Sequence, residues 1–209
     1  MQIITEKMPC LKKVERSFMK LKNVIKYHDH DNSIKIWLAG GSILSAVTGK
    51  KINDYDIFSN KPKLVLKILK EHVEYEQTFE IPDRFTNFVD SFGNKIQIIT
   101  RFSYEYADDI VSAFDFTVVC AAWDGEKLCV HDRFFQDIAA KRLVINKLGW
   151  PLSTYERSLK YSRKGYKMCP FGMKDIAKAI NEAVVDWNNP DEAVLSFYPD
   201  GSPRFEGVD

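Results

Sequence analysis

Between Ile36 and Phe58 the chain reads IWLAGGSILSAVTGKKINDYDIF, a short apolar run, a glycine turn, a helical stretch and a second apolar run that carries two aspartates. Ile36, Trp37 and Leu38 have the make-up of a buried strand, and the pair Gly40 and Gly41 lets the backbone turn sharply and present bare N–H groups. Residues 43–48 continue as a helix whose N-terminus points back at that turn. Unpaired amides and the helix dipole there favour an anion, so Gly40, Gly41 and Ser42 are the candidate phosphate cradle. Asp54 and Asp56 follow on a strand whose alternation places both carboxylates on one face and Tyr55 on the other. Two such carboxylates suit Mg²⁺, a hard cation that keeps the rest of its shell for water and substrate phosphates. In a two-metal arrangement one ion activates the attacking hydroxyl while the other neutralises the leaving pyrophosphate. The implied chemistry is nucleotidyl transfer, on a loop unrelated to the Walker type, since no G-x-x-x-x-G-K-[ST] is present.

Further motifs follow in order. KIQIITRF runs from Lys95 to Phe102, AFDFTVVCA from Ala113 to Ala121, DRFFQDIAAKRLVI from Asp132 to Ile145, and YERSLKYSRKGYKM from Tyr155 to Met168. With the glycine turn and the Asp-Tyr-Asp strand, this series resembles the DNA polymerase beta-like nucleotidyltransferase superfamily, and within it the head domain of bacterial-type tRNA CCA-adding enzymes and poly(A) polymerases. The resemblance spans roughly Ile36 to Met168. It implies an α+β nucleotidyltransferase fold, a mixed β-sheet with flanking helices, plus a short helical C-terminal extension. The corresponding division is a head over residues 1–150, N-terminal helix included, and a neck-like extension and tail over residues 151–209.

The departures from the family pattern are specific. Gln97 stands where the family has an acid on its E-V-T-T-F-R strand, so the third carboxylate is missing there. Asp115 is the candidate replacement, with a ribose or metal role, on a strand expected over residues 116–122. Ala113 and Phe114 replace two arginines that precede this aspartate in the family. Lys50 or Lys51 and Arg101 are the candidate cations for the phosphates. The substrate implied is an NTP, ATP or CTP, and the acceptor hydroxyl belongs to an RNA 3′ end, a protein side chain or a small molecule. The competing expectation is a catalytically silent module that binds nucleotide or RNA, to which Gln97 points and against which the retained, mutually repelling Asp54 and Asp56 argue.

With 30 basic against 29 acidic residues the net charge is +1, which excludes a global polycation held to nucleic acid by phosphate contacts alone. Two local basic stretches remain. Lys12, Lys13, Arg16, Lys20, Lys22 and Lys26 read as the solvated face of an amphipathic helix, while Arg157, Lys160, Arg163, Lys164 and Lys167 interleave with Tyr155, Tyr161 and Tyr166 in a pattern that fits either RNA stacking or a packed helix. The tRNA-handling relatives carry long helical regions after the neck, and the roughly forty residues after Met168 argue against a tRNA CCA-adding enzyme proper. Cys10, Cys120, Cys129 and Cys169 are widely spaced with no CxxC pair, which fits reduced thiols and a cytoplasmic setting. No run of eighteen apolar residues occurs, so no membrane segment is expected. His28, Asp29 and His30 read as a capping loop rather than a metal site.

The remaining elements follow from periodicity. Helices are expected over residues 9–27, 62–73, 104–112, 135–141, 153–165 and 173–187; strands over 75–81, 85–91, 95–100 and 127–130; turns at 92–94 and 124–125. The tail, residues 199–209, is expected to be draped or poorly ordered.

Overall fold

The computed structural model describes residues 1–182, 196–197 and 203–204. Residues 183–187 of the last expected helix and all of the expected tail except Pro203–Arg204, which pairs antiparallel with Ser196–Phe197, lie outside the described residues. The chain divides into two compact units, one made of Met1–Phe114 with Val119–Asp132, the other of Asp115–Val118 with Arg133–Asp209.

The first unit is built on one eight-stranded sheet. Its strands in chain order are β1 (Gln2–Ile4), β2 (Ile36–Ala39), β3 (Asp54–Ser59), β4 (Tyr75–Ile81), β5 (Phe85–Asp90), β6 (Lys95–Ile99), β7 (Ala121–Trp123) and β8 (Leu128–Val130). In space they run β1-β8-β7-β2-β3-β6-β5-β4. All neighbours are antiparallel except β3 and β6, whose parallel pairing sets Asp54 against Lys95 and Asp56 against Gln97. The α+β mixed sheet expected from the motifs is thus the observed architecture. The β4-β5-β6 meander falls within a residue of its expected strands; KIQII alternates in burial, and β4 shifts register against β5 between Gln77 and Phe79. Its last turn is fixed by the buried Asp90 carboxylate, which accepts the N–H groups of Phe92 (2.9 Å) and Asn94 (2.8 Å).

Helices cover both faces of this sheet. On the face carrying Leu38, Tyr55, Ile57, Ile96 and Ile98 lies α1 (Lys12–His28), which buries Val14, Phe18, Leu21 and Ile25; Phe18 packs against Trp123 at 5.2 Å between ring centroids, and the Tyr55 hydroxyl reaches the carbonyl of Lys13. This is the amphipathic packing expected of the N-terminal segment. The helices α2 (Gly41–Val47) and α3 (Pro62–Glu71) complete that layer, α3 burying Val65, Ile68 and Leu69. On the opposite face α4 (Ala107–Ala113) places Ile110 and Val111 over Trp37, Ala39, Phe58, Ala122 and Cys129. That helix lies over the β2, β7 and β8 half of the sheet. The other half of this face carries Asp54, Asp56, Lys95 and Gln97.

The second unit contains α5 (Phe134–Ala139), α6 (Pro151–Arg163) and α7 (Pro170–Glu182). It is knotted by Asp137, which is fully buried: its carboxylate accepts from the Thr117 hydroxyl (2.8 Å) and pairs with Arg133 (3.2 Å) and Arg142 (3.0 Å).

Two expectations change. The segment expected as a strand over 116–122 is strand only from Ala121; Thr117–Val119 forms a 3₁₀ turn. The reason is competition for its backbone, since Thr117 N–H donates to Val144, Asp115 accepts from Asn146 N–H, and Phe116 bridges Ile145. These bonds draw residues 115–118 into the second unit. Strand β1 was not expected, because three residues are too short to show a period, but it pairs Gln2, Ile3 and Ile4 with β8 at the sheet edge.

Candidate active site

The site starts from β2, whose four residues are all buried and deliver the chain to Gly40. Gly40 adopts φ +73°, and a Cβ there would lie 3.1 Å from the Phe114 ring, so a side chain would be strained by conformation and tight against that ring. Its N–H is committed to the Ala121 carbonyl at 3.0 Å. The same point lies 3.8 Å from Asp56 Oδ2, which puts the glycine turn directly against the second aspartate. Gly41 opens α2, and a Cβ there would meet nothing within 4 Å. The first turn of a helix has N–H groups without intrahelical acceptors, so this end of α2 presents donors next to open space. The Ser42 side chain is buried and donates to the Ala39 carbonyl at 3.1 Å. Only its backbone is in a position to serve a ligand.

Asp54 and Asp56 are half-exposed, alternating with the buried Tyr55 and Ile57. Asp54 pairs with Lys95 (3.2 Å), both side chains being near half exposure at 40% and 44%. Gln97, the partner of Asp56 across the parallel pair, donates from Nε2 to Oδ1 of the buried Asn87 at 2.9 Å. Two carboxylates on one strand face are what Mg²⁺ needs from a protein when phosphates complete its shell, so the donor set fits that ion. Among the described residues there is no cluster of three or more His, Cys, Asp or Glu able to hold a metal by themselves.

The other candidate residues stand on other segments. Lys51 is exposed on the loop between α2 and β3. Arg101 lies beyond the far end of β6, where its N–H donates to the Arg84 carbonyl and it lines a groove of about 420 Å³ with Lys61, Lys63, Thr100 and Ser103. Four residues of nearly extended chain, roughly 13 Å, separate it from Gln97 opposite Asp56. A cation that does stand beside Asp54 is Lys95, two residues before Gln97 on β6; what the sequence lacked was the identity of the neighbouring strand. Asp115 belongs to the second unit. It is 5% exposed, sits on no strand, and its carboxylate is bonded by Arg157. In the basic, aromatic stretch from Tyr155 to Met168, Tyr161 and Tyr166 are buried, Tyr161 against Phe116, and only Tyr155 is exposed. Asp29, at the C-terminal end of α1, closes the histidine loop by accepting the Ile34 N–H at 2.8 Å. All four cysteines are free, and among the described residues no helix is long and apolar enough to cross a membrane.

Solved structures share this fold. The Thermotoga maritima CCA-adding enzyme complexed with tRNA superposes with a TM-score of 0.61 at 15% identity, over 87% of this chain and 47% of that one. A CCA-adding enzyme in complex with CTP gives 0.65 at 15% identity, over 87% and 47%. For the Bacillus stearothermophilus enzyme in complex with CTP the values are 0.55 and 15%, over 83% and 43%. The nucleotidyltransferase fold of the CCA-adding enzyme head is therefore the fold of this chain, which spans less than half the length of those enzymes. A curated relative, Gabija anti-defense 2 of Bacillus phage SPbetaL7, is 28% identical over 132 residues, 62% of this chain and 33% of the relative, so the chain spans about a third of its length. The model of the Gabija anti-defense 2 family matches residues 12–141, a stretch that includes the glycine turn, both aspartates, Lys95 and Gln97. The chain belongs to the Gabija anti-defense 2 family.

Proposed function

We propose that the chain is a Mg²⁺-dependent nucleotidyltransferase that moves a nucleoside monophosphate from an NTP to a hydroxyl and releases pyrophosphate. The observation that carries this reading is the placement of Asp54 and Asp56 on one strand face with the Gly40 turn against Asp56. Backbone N–H groups at Gly41 and Ser42 hold phosphate oxygens, and Lys95 contributes positive charge beside them. Mg²⁺ bound by Asp54 and Asp56 would neutralise charge on the phosphoryl group being transferred. The acceptor oxygen bonds to the α-phosphorus as the bond to the β-phosphate oxygen breaks, the acceptor loses its proton, and pyrophosphate departs. Asp115, its carboxylate bonded by Arg157, is assigned the sugar or metal side of the reaction. The functional head is residues 1–150, with 151–209 as its extension. Solved relatives of the fold are complexes with CTP and with ATP, and these are the nucleotides proposed here. Membership of an anti-defense family gives the reaction a direction, namely nucleotidylation of a hydroxyl on a protein or nucleic acid of the Gabija defence.

Gln97 in place of an acid favours a second reading, a silent module that binds nucleotide or RNA without transfer. The two separate in one experiment. The protein is incubated with Mg²⁺ and each α-labelled NTP, alone, with total RNA and with Gabija proteins, and pyrophosphate release and acceptor labelling are followed. Release that vanishes in Asp54→Asn supports the enzyme; nucleotide binding with neither release nor labelling for any combination leaves the silent module.

A further inference from the structure

The outward side of α1 is far more basic than the chain as a whole. Over Lys12–His28 it carries Lys12, Lys13, Arg16, Lys20, Lys22 and Lys26 against a single acid, Glu15. Lys12, Arg16, Lys20, Asn23 and Tyr27 follow one another at the spacing of a single helix face, turned away from the sheet because Val14, Phe18, Leu21 and Ile25 are the buried ones. Along that line Lys12, Arg16 and Lys20 repeat a cation about every 6 Å. The turn held by Asp90 sets Phe92 beside it, with the Arg16 guanidinium 4.0 Å and the Lys20 ammonium 4.9 Å from the ring centroid. Lys20 is fixed there by Glu74 (2.7 Å) and Ser91 (2.6 Å), while Arg16 is exposed. With Met19, Asn23 and Tyr27 these residues line a groove of about 500 Å³, and among the described residues none of its lining side chains is acidic. Tyr27 is 80% exposed and Phe92 39%.

We propose that this groove is a binding track for single-stranded nucleic acid, on the side of the sheet away from Asp54 and Asp56. A guanidinium lying on an aromatic ring keeps its outer plane for a base and its N–H edge for phosphate, and an exposed tyrosine ring takes a second base by stacking. Cations repeated along a helix suit a ligand that repeats its negative charge, as a phosphate backbone does and an acidic protein segment does not. Bases already paired in a duplex have no face to offer these side chains, so the groove selects a single strand. The track goes beyond the transferase reading and does not depend on it.

The test follows the fluorescence anisotropy of a labelled, mixed-sequence RNA of about twelve nucleotides titrated with the full chain. It is run in EDTA without NTP, so that the aspartates play no part and failure of the transferase reading leaves the result standing. Wild type is expected to bind the strand about tenfold tighter or more than the same sequence as a duplex. Tyr27→Ala should weaken binding at least about fivefold, the loss of one stacked base, and Tyr27→Phe should restore it. Arg16→Gln should lower the slope of log affinity against log salt by about 0.7, the share of one phosphate on a single strand. Lys178→Gln, which removes an exposed charge on α7, should leave that slope unchanged. The track is overturned by a strand that does not bind at about 50 mM salt, by a duplex bound as tightly as the strand, or by a slope that falls equally in both charge variants. Displacement of the RNA by a glutamate peptide of the same length, with Tyr27→Ala silent, overturns it in favour of an acidic protein segment. Self-association of the chain that Tyr27→Ala abolishes overturns it in favour of a second copy.

Discussion

Asp137 and the pair Asp54 and Asp56 show what two kinds of buried or half-buried carboxylate do. Asp137 is fully buried and satisfied by three partners, Thr117, Arg133 and Arg142. A carboxylate in that position is committed to the fold, held by one hydroxyl and two guanidinium groups away from solvent. Asp54 and Asp56 stand on one strand face at partial exposure, Lys95 pairs with Asp54, and an ion pair so exposed gains little for the fold. The contrast predicts opposite consequences of removing charge, stability lost in the first case and chemistry in the second.

The largest effect is expected at Asp137→Ala. Breaking a buried pair by removing one partner costs several kcal/mol, and because Arg133 and Arg142 are near half exposure and rehydrate, a loss of about 3 kcal/mol at the low end of that range is expected. Urea denaturation measures it, and a loss under about 1 kcal/mol would show that the knot is not what holds this unit.

Asp54→Asn and Asp56→Asn come next, with the reverse signature. Each should lower nucleotidyl transfer at least about a hundredfold, which is about 2.7 kcal/mol of transition-state stabilisation, while thermal stability holds or rises as the repulsion between the two is relieved. Turnover near wild type in either variant would remove that residue from the metal site.

A sharper version uses the adjacent glycines. Gly40→Ala must place a Cβ at φ +73° and 3.1 Å from Phe114, at a cost of about 1–2 kcal/mol in stability. Gly41→Val should instead weaken NTP binding more than folding, since its Cβ points to open space where a branched side chain would obstruct phosphate approach to the amides. Melting temperature and NTP titration on both variants check the split, and unchanged affinity in Gly41→Val would move the triphosphate elsewhere.

Local patterns carried a large share of this structure. The alternation in KIQII and DYDIF fixes which side chains share a face, and the glycine turn between β2 and α2 announces itself by composition, so the strands and the relation of Asp54 to Asp56 could be read directly. What the sequence lacks is pairing between distant segments. AFDFTVV alternates well enough to be a strand, yet hydrogen bonds to residues 144–146 pull Asp115–Val118 into another unit, where Arg157 bonds Asp115. Arg101 has the right charge, but only the parallel register of β3 and β6 reveals that it stands past the wrong end of the strand. Lys95 reaches the site by that same register. Of the tyrosines that suggested stacking on RNA, Tyr161 and Tyr166 are buried, Tyr161 against Phe116, and Tyr155 is exposed.

A third carboxylate extends the comparison to the smallest effect. Asp108 accepts a hydrogen bond from the Cys129 thiol at 2.8 Å, and Cys129 is 3% exposed. Burial first, and then the neighbouring carboxylate, push this thiol up from 9.0 to about 12. The folded state therefore favours the protonated thiol more strongly than the unfolded chain does. Its stabilising contribution is complete below pH 9 and is lost as pH rises from about 9 towards 12. Burial also raises the hydroxyls of Tyr55, Tyr75, Tyr104 and Tyr166, so the whole protein should weaken in alkali. The part due to the thiol is the difference between wild type and Cys129→Ala in how far the urea midpoint falls from pH 8 to pH 9.5, at most about 1 kcal/mol. Wild type should fall further, because the variant has no thiol to ionise, whatever the constant cost of leaving Asp108 without that donor. Parallel curves would mean that the thiol meets water in the folded protein, and Asp108 would then belong with the half-exposed carboxylates rather than with Asp137.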